Sequence, residues 1–178
     1  MTLGFTTYTK SGCLTLFPEK IMYPHVAHIR EAMPDLIPKI HTFRAGHRWR
    51  PGMKIHMVIG NRTPKRFQFN AHIPELQTCV SVQESMIWRD TQGIAIAIGA
   101  PDISQRLLTR AERLLFAAND GFNSVEEMER WFYPRGYTPV NKVYTGQIVH
   151  WTDFRYSPAP PARADWYADP GASGYVDF

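Results

Sequence analysis

The strongest constraint on the fold is a long β-forming segment followed by a tight reversal of the chain. Residues Thr78 to Arg89 are rich in valine, isoleucine, threonine and other residues that strands favour. The next four residues, 90–93, are Asp-Thr-Gln-Gly and predict a hairpin turn. A returning strand then places Ile94, Ile96 and Ile98 on one face. We therefore expect an antiparallel β-sheet in this part of the chain.

Weaker strand and helix signals surround this hairpin. Alternating or proline-bounded segments predict further strands at 14–18, 39–44, 53–59 and 143–154. Apolar periodicity with caps and terminating proline or glycine predicts helices at 24–34, 102–121 and 124–134, with capping boxes at Asp102 and Ser124. This order does not fit alternating βαβ units. It predicts an α+β domain, a small and mostly antiparallel β-barrel covered by about three helices.

Length and composition limit the class of protein. A chain of 178 residues predicts one domain, which we assign to residues 1–156. Residues 157–178 hold four prolines and five alanines and are expected to be a tail, and their four aromatic residues favour its docking on the domain. The two cysteines form no disulfide framework or zinc box, and no apolar run is long enough for a signal peptide or a membrane span. We expect a cytoplasmic protein with no membrane partner.

Positive charge is concentrated in one stretch. Residues 36–74 contain eight lysines and arginines and no aspartate or glutamate, whereas the rest of the chain has 12 basic and 16 acidic residues. Such a stretch attracts phosphates, because neutralising them releases counterions. It predicts contact with a polyanion such as RNA; the alternative is a solvated basic face with no specific partner.

Several residues of the basic stretch are candidates for binding a nucleotide. Trp49 lies between Arg48 and Arg50, an arrangement in which the ring stacks on a base while the arginines hold phosphates. The alternative is that Trp49 belongs to the core. Arg62 and Thr63 lie in the polar loop that follows the strand predicted at 53–59, and they are expected to line the same nucleotide-binding cleft.

Two motifs stand close together within the basic stretch. The first is Lys39-Ile-His-Thr42-Phe-Arg44, and the second is Trp49-Arg-Pro-Gly52-Met-Lys-Ile-His56. They resemble the ASCH domain of the PUA-like superfamily, which has a Lys-x-x-(Glu or Thr)-x-Arg segment followed by a Gly-Asp turn. The chain departs from that pattern at Ile37, where the family usually has glycine, and at Gly52-Met53.

Later segments extend the resemblance to roughly residues 14–156. Residues 117–122, Ala-Ala-Asn-Asp-Gly-Phe, and the helix that follows them are similar to the second half of ASCH domains. Residues 146–155, Gly-Gln-Ile-Val-His-Trp-Thr-Asp-Phe-Arg, resemble the end of bacteriophage-encoded members. A phage-encoded protein would act in the host cytoplasm.

The resemblance implies a polar cleft near the Lys-x-x-Thr-x-Arg strand that binds RNA or a modified nucleoside. Some small bacterial ASCH proteins hydrolyse the amide of N4-acetylcytidine with a lysine, a threonine and a glutamate. By position these correspond to Lys39, Thr42 and, for the carboxylate, Asp120; Arg44 would bind the ligand. The resemblance implies no cofactor and no particular oligomeric state.

The residues themselves are compatible with amide hydrolysis. Thr42 could act as the nucleophile if Lys39, with a pKa lowered by burial and cationic neighbours, took its proton. Asp120 would protonate the leaving amine, with Glu84 as a reserve carboxylate. Residues three apart in a regular strand point to opposite faces, so Lys39 and Thr42 converge only if Lys39 lies in an irregular entry after Pro38 or at a bulge.

Three functions remain open from the sequence. The first is a module that binds RNA or a modified nucleoside, and the second is an amidohydrolase acting on an acylated nucleoside. The third is a phage protein that binds a host protein. A metal site is not expected, because His25 and His28 have ligand spacing but no third ligand accompanies them.

Overall fold

Eight strands and four α-helices lie within residues 1–8, 12, 14–99, 105–134 and 142–157, which the computed structural model describes. The strands are β1 (Thr2–Phe5), β2 (His41–Ala45), β3 (His56–Ile59), β4 (Phe67–Gln68), β5 (Ser81–Asp90), β6 (Gly93–Ile98), β7 (Arg106–Leu107) and β8 (Tyr144–His150). The helices are α1 (Phe17–Met22), α2 (Ala27–Ala32), α3 (Arg110–Asn119) and α4 (Val125–Phe132), with a 3-10 turn at Pro74–Leu76.

The larger sheet has five strands in the order β2-β8-β5-β6-β7, and all of its pairings are antiparallel. The predicted hairpin is confirmed, because β5 ends at Asp90 and β6 begins at Gly93. Within the turn, Asp90 Oδ1 accepts a hydrogen bond from the Gln92 amide at 2.7 Å, and Gly93 has a φ of 109° that favours glycine. This sheet contributes Phe43, Ile87, Ile94, Ile96, Ile98, Ile148 and Val149 to the hydrophobic core.

The smaller sheet has the order β1-β3-β4 and contains a pairing that the sequence did not predict. β1 runs parallel to β3, with Leu3 opposite Met57 and Phe5 opposite Ile59. The predicted α+β class with mostly antiparallel strands is confirmed. The predicted closed barrel is not what the described residues form, since their strands are divided between two open sheets.

The helices differ from the predicted ones at their beginnings. Residues 14–18 were expected to form a strand, but Pro18 lies in the first turn of α1, where a missing amide proton costs nothing. The first of the two later helices begins after a Thr109–Glu112 capping box, and Asp102 lies outside the described residues. Ser124 caps α4 as predicted, because its Oγ accepts a hydrogen bond from the Glu127 amide at 3.1 Å. None of the described helices is long and apolar enough to cross a membrane.

The end of the described chain is fixed to the domain at Tyr156, whereas the tail assigned to 157–178 lies, from residue 158 onward, outside the described residues. Tyr156 is buried, and its hydroxyl lies 2.9 Å from His41 Nε2. His41 also faces His150 across the β2–β8 pair, with ring centroids 5.3 Å apart. The two imidazoles are fully buried, and both nitrogens of His150 lack a hydrogen-bond partner within the described residues.

This histidine pair is expected to make the fold sensitive to acid. Burial lowers the pKa of His150 to about 3 and that of His41 well below 6.5. As the pH falls below 6.5, these histidines bind protons in the unfolded chain but not in the folded chain. Each histidine therefore lowers the free energy of unfolding by about 1.4 kcal/mol per pH unit. In urea unfolding at a series of pH values, the free energy of unfolding should fall less steeply with decreasing pH in His150→Phe than in the wild type. An exposed-site control, His28→Gln, should keep the wild-type slope, and equal slopes in all three proteins would contradict the assignment.

Candidate functional site

A cleft of about 1340 Å³ lies where β1, β2, β8, α1 and the junction of α3 with α4 meet. Eight of its 23 lining residues are aromatic. The aromatic lining residues are Phe5, Tyr8, Phe17, Phe43, Phe122, Trp131, Phe132 and Tyr144. Four polar residues predicted from the sequence, Lys39, Thr42, Arg44 and Asp120, line this same cleft. The structure therefore brings together the residues of the Lys-x-x-Thr-x-Arg motif and the candidate carboxylate.

Lys39 reaches the cleft because it precedes the regular part of β2. Its backbone amide donates to Lys20 O at 3.1 Å, and the Ile40 amide donates to Asn119 O at 2.9 Å. These bonds tie the entry of β2 to α1 and to the end of α3. Strand alternation begins only at His41, so Lys39 and Thr42 line one cleft in spite of their three-residue spacing.

Asp120 faces Lys39 from the C-terminal end of α3. The Lys39 ammonium group donates to Asp120 Oδ1 and also to the Asp120 backbone carbonyl. The second carboxylate oxygen, Oδ2, accepts a hydrogen bond from the Phe43 amide at 3.2 Å. The Lys39 side chain is 1% exposed and that of Asp120 is 6% exposed, so this is a buried ion pair with both carboxylate oxygens in use.

The environment of Lys39 changes its acid–base behaviour. Burial lowers the pKa of Lys39 to about 8, and the Asp120 carboxylate opposes the shift. The ammonium nitrogen also lies 4.9 Å from the ring centroid of Phe17 and 5.8 Å from that of Phe5. A lysine with this pKa has an appreciable neutral fraction near neutral pH and can accept a proton.

Thr42 and Arg44 follow on the same face of β2. Thr42 is 4% exposed, and its hydroxyl makes no hydrogen bond to any described residue. Arg44 donates from Nη2 to Gly4 O at 2.9 Å, and its guanidinium lies 5.1 Å from the Phe5 ring centroid. Its Nε is buried and has no partner in the described part of the chain.

Other predicted binding residues lie outside the cleft. The prediction that Trp49 stacks on a base does not fit this structure, because Trp49 is 1% exposed and belongs to the core. Its backbone amide donates to Gln147 Oε1 of β8 at 2.9 Å. Arg48 and Arg50 are exposed on either side of it. They remain available to a polyanion but do not line the cleft.

Arg62, Thr63 and Glu84 are also outside the lining. Arg62 and Thr63 are exposed in the turn after β3, and only their neighbours Gly60 and Asn61 reach the cleft. Glu84 accepts hydrogen bonds from Gln147 at 2.9 Å and lies 2.6 Å from His47 Nδ1. The reserve carboxylate is therefore engaged elsewhere on the sheet.

Most of the aromatic residues that line the cleft were not predicted from the sequence to lie there. Phe17 packs edge-on against Phe122 and Trp131, with centroids 5.7 and 5.8 Å apart. Phe5 enters from β1, a strand that was not predicted. An aromatic residue in each of several distant segments is the available sequence signal, but such residues are equally typical of a core.

Gly121 packs closely against the side chains of Lys39 and Phe17, and its replacement is expected to disturb the cleft. Its φ is 92°, and an added Cβ would lie 2.9 Å from both Lys39 Cδ and Phe17 Cδ1. We expect Gly121→Ala to lower the free energy of unfolding by about 2–3 kcal/mol. Gly46→Ala is the matched control, because Gly46 has a φ of 83° but nothing within 4 Å of its added Cβ. Equal losses in the two variants, measured by urea unfolding, would contradict a close contact at Gly121.

The described residues contain no group of three or more histidine, cysteine, aspartate or glutamate side chains that could hold a metal ion. Comparison of the chain with models of known protein families, with curated proteins and with solved structures found no match.

Proposed function

We propose that this chain is a PUA-like module of the ASCH type whose cleft binds RNA through a modified nucleoside or base. The observation that carries the proposal is the convergence of Lys39, Thr42, Arg44 and Asp120 on one aromatic-walled cleft. These four residues come from sequence positions up to 81 apart, and only the tertiary fold brings them together.

The lining suits a planar heterocycle with polar edges. Aromatic side chains bind bases by stacking, and hydrogen-bonding groups read the edges of an unstacked base. Arg44 supplies unused N–H donors, and the Thr42 hydroxyl can donate or accept. A cleft of about 1340 Å³ exceeds the usual volume for a single small ligand, so it has room for a nucleoside within a strand.

The exposed part of the basic stretch supports RNA as the larger partner. Of its eight cations, Lys39 and Arg44 are drawn into the cleft, and the other six are exposed. The exposed cations are Arg48, Arg50, Lys54, Arg62, Lys65 and Arg66. They can contact phosphates without reading sequence, which would raise affinity for a strand that presents its base to the cleft.

Binding measurements test this function. N4-acetylcytidine and cytidine are titrated by calorimetry, and a single-stranded RNA is titrated by filter binding at several salt concentrations. Replacing Arg48 and Arg50 with alanine should reduce the salt slope by roughly one for each lost phosphate contact. Arg89→Ala and Arg110→Ala, made together, remove two exposed arginines outside the basic stretch and should leave the slope unchanged. Absence of both nucleoside and RNA binding would contradict the proposal and favour a protein partner.

A second candidate function, hydrolysis of an acylated nucleoside, is favoured by one observation. The partly neutral Lys39 and the Thr42 hydroxyl, which makes no hydrogen bond to a described residue, line the same cleft. Thr42 Oγ would attack the carbonyl carbon of an N4-acetyl group while Lys39 takes the hydroxyl proton. The C–N bond then breaks, Lys39 returns the proton to the leaving amine, and water hydrolyses the acetyl ester to acetate.

The contacts of Asp120 assign it a different role from the one predicted. Both of its carboxylate oxygens accept hydrogen bonds, from Lys39 and from the Phe43 amide. In this mechanism Asp120 therefore orients the Lys39 amine, and Lys39 rather than Asp120 delivers the proton to the leaving group.

A further inference from the structure

Arg44 is a cleft residue whose positive charge is not neutralised by a contacting carboxylate. The only hydrogen bond from its side chain to a described residue is donated by Nη2 to Gly4 O, and its buried Nε has no partner there. None of the salt bridges between described residues includes Arg44. Arg44 is half-buried, and a partly desolvated charge that forms no ion pair with a described residue is costly unless another group compensates it.

The carboxylates that line the cleft are already occupied. Asp120 uses Oδ1 for Lys39 and Oδ2 for the Phe43 amide. Glu127 accepts a hydrogen bond from the Asn123 amide at 2.8 Å through Oε2. Neither forms an ion pair with Arg44, so the guanidinium keeps its forked donors for a group that enters the cleft.

The charge balance of the lining points in the same direction. The cleft is lined by three cations, Lys39, Arg44 and Arg130, and by two carboxylates, Asp120 and Glu127. Arg130 is exposed at the rim and forms no salt bridge with a described residue. The lining thus has an excess positive charge that favours an anionic ligand group.

We propose that the cleft contains a phosphate subsite at Arg44, so that its ligand is a phosphorylated nucleoside rather than a free nucleoside. This inference rests on the proposed function. The Nη1 and Nη2 groups of Arg44 donate to two phosphate oxygens, a forked geometry for which arginine is suited, while the buried Nε stays behind them. The phosphate belongs either to a free nucleotide or to the backbone of a strand, and the two sources share this chemistry.

Calorimetry with four probes tests the subsite: cytidine, its 3′- and 5′-monophosphates, and the dinucleotide cytidylyl-adenosine. At least one phosphorylated probe should bind about tenfold or more tightly than cytidine. The strongest binding by a monophosphate would identify a free nucleotide, and the strongest binding by the dinucleotide would identify a strand. Equal affinity for all four probes would overturn the subsite and leave the proposed nucleoside binding standing.

Variants separate a phosphate contact from general charge. In Arg44→Gln the ratio of the affinities for the phosphorylated probes and for cytidine should fall to about one. Arg44→Lys keeps the charge without the fork and should lose most of the preference, and it also serves if Arg44→Gln does not fold. Arg110→Gln replaces an exposed arginine outside the cleft and should keep the preference for phosphorylated probes.

Inorganic phosphate provides a readout that does not depend on nucleoside binding. It should raise the melting temperature of the wild type and of Arg110→Gln, but not that of Arg44→Gln or Arg44→Lys. If phosphate stabilises the protein while cytidine and its phosphates fail to bind, the subsite stands and the proposed function fails. If phosphate stabilises all four proteins equally, the subsite is overturned.

Discussion

Replacing Lys39 with methionine is expected to lower the free energy of unfolding by about 3–5 kcal/mol. The change leaves the Asp120 carboxylate buried without the cation to which it is bonded. Removing one partner of a buried pair exposes the full desolvation cost of the other, which neighbouring dipoles only partly offset. Urea unfolding at neutral pH measures the loss. An exposed pair gives the matched control: Arg89→Met removes a cation 2.9 Å from Glu129, and it should cost less than about 1 kcal/mol.

The double variant Lys39→Met/Asp120→Asn identifies the cause. If the loss comes from an uncompensated charge, neutralising Asp120 as well should recover part of the stability, so the double variant is more stable than Lys39→Met alone. Strictly additive losses would contradict a coupled pair and would reduce Lys39 to a packing residue.

Replacing Thr42 with alanine is expected to lower kcat for N4-acetylcytidine hydrolysis by about 10³-fold or more while leaving substrate affinity nearly unchanged. The reason is that the hydroxyl is the nucleophile in the proposed reaction, and it makes no hydrogen bond with described residues that would support the fold. Thr42→Ser keeps the hydroxyl and should retain a measurable rate. A Thr42→Ala enzyme with wild-type kcat would exclude the hydrolytic mechanism.

The pH profile of the same reaction reports on Lys39. A general base acts in its neutral form, and the pKa of Lys39 is about 8. The value of kcat/KM should therefore rise about tenfold per pH unit below about 8 and level off above it. A rate that falls as the pH rises through this range would contradict Lys39 as the base.

Local signals in the sequence predicted the central part of the fold. The Asp90–Gly93 turn forms where its residues indicate. Its two determinants are local: the Asp90 carboxylate accepts a hydrogen bond from the Gln92 amide, and Gly93 adopts a positive φ. The cap of α4 at Ser124 is equally local. Strand alternation gave an irregular entry only as the condition under which Lys39 and Thr42 could share a cleft. The strand predicted from residue 39 in fact begins at His41, and this meets the condition.

The remaining features depend on contacts between distant residues. The parallel pairing of β1 with β3 joins segments more than fifty residues apart, and no local pattern specifies it. Trp49 has the same neighbours in the sequence whether it stacks on a base or fills the core. Whether it is buried depends on tertiary contacts, such as its packing in the core cluster and the hydrogen bond that its backbone amide donates to Gln147 of β8. For the same reason, the sequence could not show that Glu84 would be engaged by His47 and Gln147.

The most direct test of the proposed nucleoside site is an NMR titration of the backbone amides with N4-acetylcytidine. The account predicts that the largest chemical-shift changes fall on residues lining the cleft, at Phe5, Thr42, Arg44 and Asp120. They should saturate together with one dissociation constant. Changes confined to the exposed residues around Arg48, Arg50 and Lys54, or no changes at all, would contradict the claim that this cleft binds a nucleoside.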